Sequence, residues 1–143
     1  MEKKKNVLFI CVHNSGRSQM AEAFLRASAG NKFDVESAGL EPREINKLVI
    51  QVMKEMDIDI SGNTSDSVFD FYKEGRLYDY VITVCDEFIE TQCPIFPGIT
   101  RRLHWAFPDP SSVSGTDEEK LSKVRKIRDD IHKRIMTWLN VFE

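Results

Sequence analysis

Eight consecutive residues, Cys11-Val12-His13-Asn14-Ser15-Gly16-Arg17-Ser18, constrain this chain more than any other stretch. They follow an apolar run, Val7 to Ile10, and precede a helical pattern from Gln19 to Ala29. A strand, a polar loop and a helix start therefore meet here. Cys11 and Arg17 form a C-x5-R spacing, with Ser18 directly after the arginine. Such a loop curls so that its backbone N–H groups point inward, and the helix start adds its own free N–H groups and dipole. The product is a cradle for a tetrahedral oxyanion. Val12, His13, Asn14, Ser15, Gly16, Arg17 and Ser18 are its expected oxyanion-binding residues. Arg17 is suited to grip two anion oxygens with its planar fork. Cys11 would lie on the cradle floor, where the positive field favours the nucleophilic thiolate. Ser18 offers that thiolate a hydroxyl, and Asn14 suits a left-handed turn position that braces the loop. An ordinary strand-to-helix loop with a buried cysteine shares the bare spacing. The flanking elements and the Asn/Ser/Gly filling favour chemistry.

The rest of the chain alternates strands and helices. Asn6 to Cys11 reads as a buried parallel strand. Gln19 to Ala29 reads as a helix with Met20, Ala23, Phe24 and Ala27 inward, stopped at Gly30. Phe33 to Ala38 is a second strand. Asn46 to Met56 is a second helix, with Leu48, Val49, Val52, Met53 and Met56 as its stripe. Ser65 or Asp66 is expected to cap a short third helix through about Tyr72, with Gly75 ending that region. Tyr80 to Cys85 is a third strand, rich in β-formers. Asp86 to Gln92 fits a short helix or a loop. Arg102 to Trp105 is a fourth strand, and Phe107-Pro108-Asp109-Pro110 forces extended chain. Thr116 to Glu119 is a capping box opening a long helix with Leu121, Val124, Ile127, Ile131, Ile135, Trp138 and Leu139 on one face. This order predicts an α/β fold: one three-layer domain, residues 1–143, with a four-stranded parallel sheet flanked by helices. Cys11, Cys85 and the Asp109 loop all follow strand ends, the edge where such sheets carry their sites.

Composition narrows the function. A net charge of -3 argues against nucleic-acid binding. No run approaches the roughly 18 apolar residues of a membrane span. The apolar run after Lys3-Lys4-Lys5 is too short for a signal-peptide core. A cytoplasmic monomer is expected. The three cysteines lack the spacing of a metal site and do not make a secreted disulfide framework.

A thiolate that attacks an oxyanion needs an acid to protonate the departing oxygen, and Asp109, rigid between two prolines, is the candidate. Asp-Pro is also common turn punctuation. Cys85 and Cys93 lie eight apart. Cys85, at a strand end, fits a buried thiol, whereas Cys93, before a proline in a polar loop, reads as accessible. A helical segment between them would span roughly 12 Å, too far for a disulfide, which needs Cα atoms within about 7 Å. A disulfide between them would require that segment to unwind, and two inert structural thiols remain the alternative. His13 faces either the cradle or solvent. His104 and Trp105 read as packing residues and His132 as a helix-surface residue.

Together, Asn14 to Glu22, Thr83-Val84-Cys85, Cys93-Pro94 and His104-Trp105 with Asp109-Pro110 resemble the thioredoxin-coupled arsenate reductases, which have the low-molecular-weight protein tyrosine phosphatase fold. The resemblance implies a three-cysteine relay. Cys11 attacks arsenate and Asp109 protonates the leaving oxygen. Cys85 attacks Cys11, releasing arsenite and leaving a Cys11–Cys85 disulfide. Cys93 then attacks Cys85, and the final Cys85–Cys93 disulfide is reduced by thioredoxin or a similar dithiol. Phosphate and sulfate would compete with arsenate. No cofactor is required on this reading. Potassium is an optional addition that some relatives bind, and the matching positions are Asn14, Glu22, Ser37, Thr64 and Asp66. Gly16 stands where some relatives carry a cysteine, and the Cys85–Cys93 gap is one residue longer than in some. The alternative is a protein tyrosine phosphatase, since the cradle and acid serve both reactions. Against it, Ser111-Ser112 follows Asp-Pro where such phosphatases place aromatics, and a phosphatase has no use for two further thiols. A non-catalytic oxyanion sensor would leave Asp109 and the cysteine pair without purpose.

Overall fold

The computed structural model describes residues 3–85 and 92–142. Its element order is β1 (Lys5–Cys11), α1 (Arg17–Ala29), β2 (Phe33–Gly39), α2 (Lys47–Lys54), α3 (Val68–Lys73), β3 (Tyr80–Thr83), β4 (Arg101–His104) and α4 (Asp117–Leu139). The four strands form one sheet in the order β2-β1-β3-β4, and every neighbouring pair is parallel. The expected α/β architecture is therefore present.

β1 is central because it is apolar on both faces. Val7, Leu8, Phe9 and Ile10 are all fully buried, as an interior parallel strand requires. Phe33 and Tyr80 turn to one face, where both rings meet Trp138 of α4. On that face α1 packs beside α4, and Phe24 stacks on His132 at 4.6 Å between ring centroids. Glu36, at the opposite parity of β2, turns to the other face. There it pairs with Arg76, whose guanidinium lies over Phe71 of α3. The sheet is thus sandwiched between helices.

Several local features match the sequence chemistry. Asn46 caps α2 by accepting from the N–H groups of Leu48 and Val49. Thr116 and Glu119 form the full capping box of α4. Val124, Ile127, Ile131, Ile135 and Leu139 make its buried stripe. Others differ. α3 is capped by Ser67, not by Ser65 or Asp66, because those two residues are held by Asn14. The buried side of α1 includes Ala21 and Leu25, while Ala27 is exposed and Ala23 only half-buried. The rotation follows from its first turn, where Arg17, Ser18 and Gln19 are themselves buried. β3 and β4 stop at Thr83 and His104, ahead of the expected Cys85 and Trp105. Residues 86–91, the bulk of the segment expected as helix or loop, lie outside the described residues.

Candidate active site

The cradle is shaped by where its carbonyls go. The carbonyl of Cys11 accepts from Leu40 N–H, that of Val12 from Glu41, that of His13 from Arg43 and that of Ser15 from Asn46. The carbonyl of Asn14 accepts from Gln19 Nε2 and from Ser65 Oγ. Every carbonyl from Cys11 to Ser15 is thus tied to the surrounding chain, which leaves the loop's N–H groups for its interior. Those of Val12 and His13 already donate to the Cys11 sulfur. The strap over residues 40–46 can lie this close because β2 ends in Gly39. A Cβ there would stand 2.7 Å from Asn14 N and 2.9 Å from Val12 O.

Asn14 is the internal brace. It is fully buried and takes a left-handed backbone with φ 51°. Its Nδ2 donates to Ser18 Oγ at 2.7 Å and to Ser37 Oγ at 2.9 Å. Its Oδ1 accepts from Asp66 N–H at 3.0 Å and from Gln19 Nε2 at 3.2 Å. Gln19 also reaches the Thr64 carbonyl and accepts from Asn63. The sequence alone gives Gln19 no role of its own. Its one signal was a polar residue directly after the motif, in the turn of helix that faces the core.

Cys11 and Cys85 are both buried at the ends of neighbouring chain segments. The Cys11 thiol is pulled from 9.0 down to about 6. The largest cause is a hydrogen bond from Cys85, followed by burial, which opposes it, and then by the Arg17 charge and the Val12 and His13 N–H groups. No disulfide links the three cysteines. Cys93 is buried at 6% exposure within the main core cluster. This corrects the expectation of an accessible thiol: Phe96, three residues on, inserts against Tyr72 and Tyr78 and draws the loop into the core.

Arg17 is 2% exposed. Its Nη1 donates to the Phe107 carbonyl at 3.0 Å, and its Nη2 lies 3.9 Å from Asp109 Oδ2. Cys11, His13, Ser15, Gly16, Arg17, Asn46, Asp109 and Pro110 line one small cavity. The structure therefore brings together Cys11, Arg17 and Asp109 around one space, with Cys85 against Cys11. Among the other sequence candidates, His13 binds the Glu41 carbonyl through Nδ1 at 3.0 Å. His104 is exposed, with Nδ1 at 2.6 Å from Thr83 Oγ1. Trp105 packs on Phe9 and Trp138.

The five positions matched to a potassium site also cluster. Ser37 links Asn14 to Glu22 through bonds of 2.9 and 2.5 Å, and Thr64 leans on Asp66 at 3.4 Å. Their oxygens are already matched to donors of the chain: Gln19 serves Asn14 and Thr64, and Arg26 pairs with Glu22 at 2.6 Å. None of the five leaves a buried side-chain polar atom without a partner. Burial raises the Glu22 carboxyl above its ordinary range, opposed by the bonds from Ser37 and Arg26. These bonds make the cluster a brace of the cradle loop.

The family model for low molecular weight phosphotyrosine protein phosphatases matches residues 6–143. The chain belongs to that family. Within it, an arsenate reductase of Halalkalibacterium halodurans is 42% identical over 135 residues, covering 94% of this chain and 95% of the relative. A solved arsenate reductase in its oxidized state superposes with a TM-score of 0.80 at 32% identity, covering 97% of this chain and 99% of that one. The thioredoxin-dependent arsenate reductase of Corynebacterium glutamicum superposes with a TM-score of 0.74 at 34% identity, covering 98% of this chain and 62% of that one. Among the described residues, no helix is long and apolar enough to cross a membrane.

Proposed function

We propose that this chain reduces arsenate to arsenite in the cytoplasm, using Cys11, Cys85 and Cys93 in turn and a thioredoxin-like dithiol as final reductant. The observation that carries the reading is the second thiol, Cys85, hydrogen-bonded to the nucleophile beside an oxyanion cradle. A phosphatase needs the cradle but not that thiol. The similar arsenate reductases support the same choice.

The geometry suits the steps at Cys11. The Cys11 thiolate forms an S–As bond while one As–O bond breaks. Asp109 supplies the proton, and the oxygen leaves as water. Arsenic is still As(V). Cys85, losing its proton, attacks the Cys11 sulfur. The S–As bonding pair passes to arsenic, which leaves as arsenite, As(III), and the two thiols have given up two electrons to form a disulfide. Cys93 then attacks the Cys85 sulfur, Cys11 departs as thiolate, and the Cys85–Cys93 disulfide is reduced by the external dithiol. The Cys11 environment serves twice here, since groups that favour its thiolate make it both the nucleophile of the first step and the leaving group of the last. No step is assigned to potassium. A weak phosphatase activity follows from the same cradle and acid.

The test is arsenate-dependent NADPH consumption with thioredoxin and thioredoxin reductase, wild type beside Cys11→Ser, Cys85→Ser and Cys93→Ser. Turnover in wild type and loss in all three variants is expected. Turnover that survives in Cys85→Ser and Cys93→Ser would overturn the relay. Hydrolysis of p-nitrophenyl phosphate without arsenate turnover would make the protein a phosphatase.

A further inference from the structure

We infer that Ser111 is the positioning residue for the acid: it fixes which carboxylate oxygen of Asp109 carries the transferred proton. The inference rests on Asp109 being that acid. Asp109 caps the single turn of 3-10 helix over Pro110–Ser112. Its Oδ1 accepts two hydrogen bonds from one residue, from Ser111 N–H at 2.9 Å and from Ser111 Oγ at 2.8 Å. Its Oδ2 is left facing Arg17 Nη2 at 3.9 Å. An oxygen that accepts from two donors has no room for a proton of its own. With Oδ1 held by both Ser111 donors, Oδ2, the oxygen turned toward Arg17, is the one left to carry a proton in transfer.

The turn is held in place from both sides. Arg17 binds the Phe107 carbonyl two residues before the acid. Pro110, one residue after it, lies over the cradle, where a side chain at Gly16 would meet its Cγ at 3.3 Å. The backbone N–H of Ser111 is available with any residue except proline. The hydroxyl is the contribution of this particular side chain. It stops the carboxyl from rotating to present Oδ1, and it stabilises the carboxylate that forms as the proton departs. Among the described residues, Arg17 is the cation paired with Asp109, and Cys11 and His13 are the other titratable groups lining the same cavity.

Ser111→Ala removes the hydroxyl and leaves the backbone donor, whereas Ser111→Thr keeps both. The measurement is the single-turnover rate of arsenite formation by fully reduced protein at saturating arsenate, with the dissociation constant of inorganic phosphate as the report on the cradle. Ser111→Ala should slow the turnover about fivefold, the effect of one hydrogen bond. Phosphate binding should stay within about twofold, and Ser111→Thr should recover the rate. An unchanged rate in Ser111→Ala, an equal loss of phosphate binding, or a threonine variant as slow as the alanine would overturn the inference. Asp109→Asn separates the two levels. If it is slow while Ser111→Ala is not, the inference on Ser111 alone falls. If Asp109→Asn keeps the wild-type rate, the assignment of the acid falls.

Discussion

The cradle and the loop around Cys93 are built in opposite ways. Every carbonyl from Cys11 to Ser15 is tied down, and Asn14 joins the loop to α1, β2 and the chain at 65–66. Among the described residues of 92–100, the segment after the relay thiol has no regular secondary structure. It is anchored by Phe96 against two tyrosines and by Thr100 Oγ1, which donates to the Tyr78 carbonyl at 2.8 Å. Ile95 and Ile99 project from it, 76% and 99% exposed. The difference matches two tasks. Binding a fixed anion benefits from groups that do not reorganise. Passing a disulfide from a buried site to an external reductant requires chain to move, and such motion comes from the less stable parts of a fold.

The comparison predicts where substitutions are costly. Asn14→Ala should have the largest effect. It removes four side-chain hydrogen bonds of a fully buried residue and places alanine at positive φ. A loss of about 2–4 kcal/mol in denaturant unfolding is expected, with phosphate affinity falling in parallel. Stability within about 0.5 kcal/mol of wild type would break the contrast.

A smaller effect is expected at the junction of the two regions. Cys85→Ala removes the leading cause of the depressed Cys11 pKa, whereas Cys85→Ser keeps a donor. The pH dependence of Cys11 alkylation should show a midpoint near 6 in wild type. In Cys85→Ala that midpoint should move upward, and the rate at the wild-type midpoint should drop about fivefold. Cys85→Ser should stay close to wild type. The sign also fixes the linkage to stability. A thiol whose folded pKa is depressed stabilises the fold fully above its unfolded value of about 9, and that contribution is lost as pH falls through about 6. An identical profile in all three proteins would separate the nucleophile from the relay.

Much of this was legible in the sequence, because local chemistry and fold point the same way. The apolar run into C-x5-R, the Asn46 cap and the Thr116 box each specify their own element within a few residues. What escaped depends on contacts distant in sequence. Ser65 and Asp66 looked like caps, yet Asn14, about fifty residues away, claims both. Ala27 fits a helical stripe, but the buried Arg17 and Gln19 turn the helix away from it. Cys93 read as accessible from its polar neighbours, whereas Phe96 decides its burial. Ser111 read only as the absence of an aromatic. Its bond to Asp109 spans two residues, but a serine after a proline carries no mark of it in the sequence.

The relay itself is tested most directly by mapping the disulfides left after one round of arsenate in the absence of external reductant. Peptide mass spectrometry of wild type should find Cys85 joined to Cys93, and of Cys93→Ser should find Cys11 joined to Cys85, each with one arsenite released per protein. A Cys11–Cys93 disulfide in wild type, or arsenite released with no disulfide in either protein, would contradict the relay.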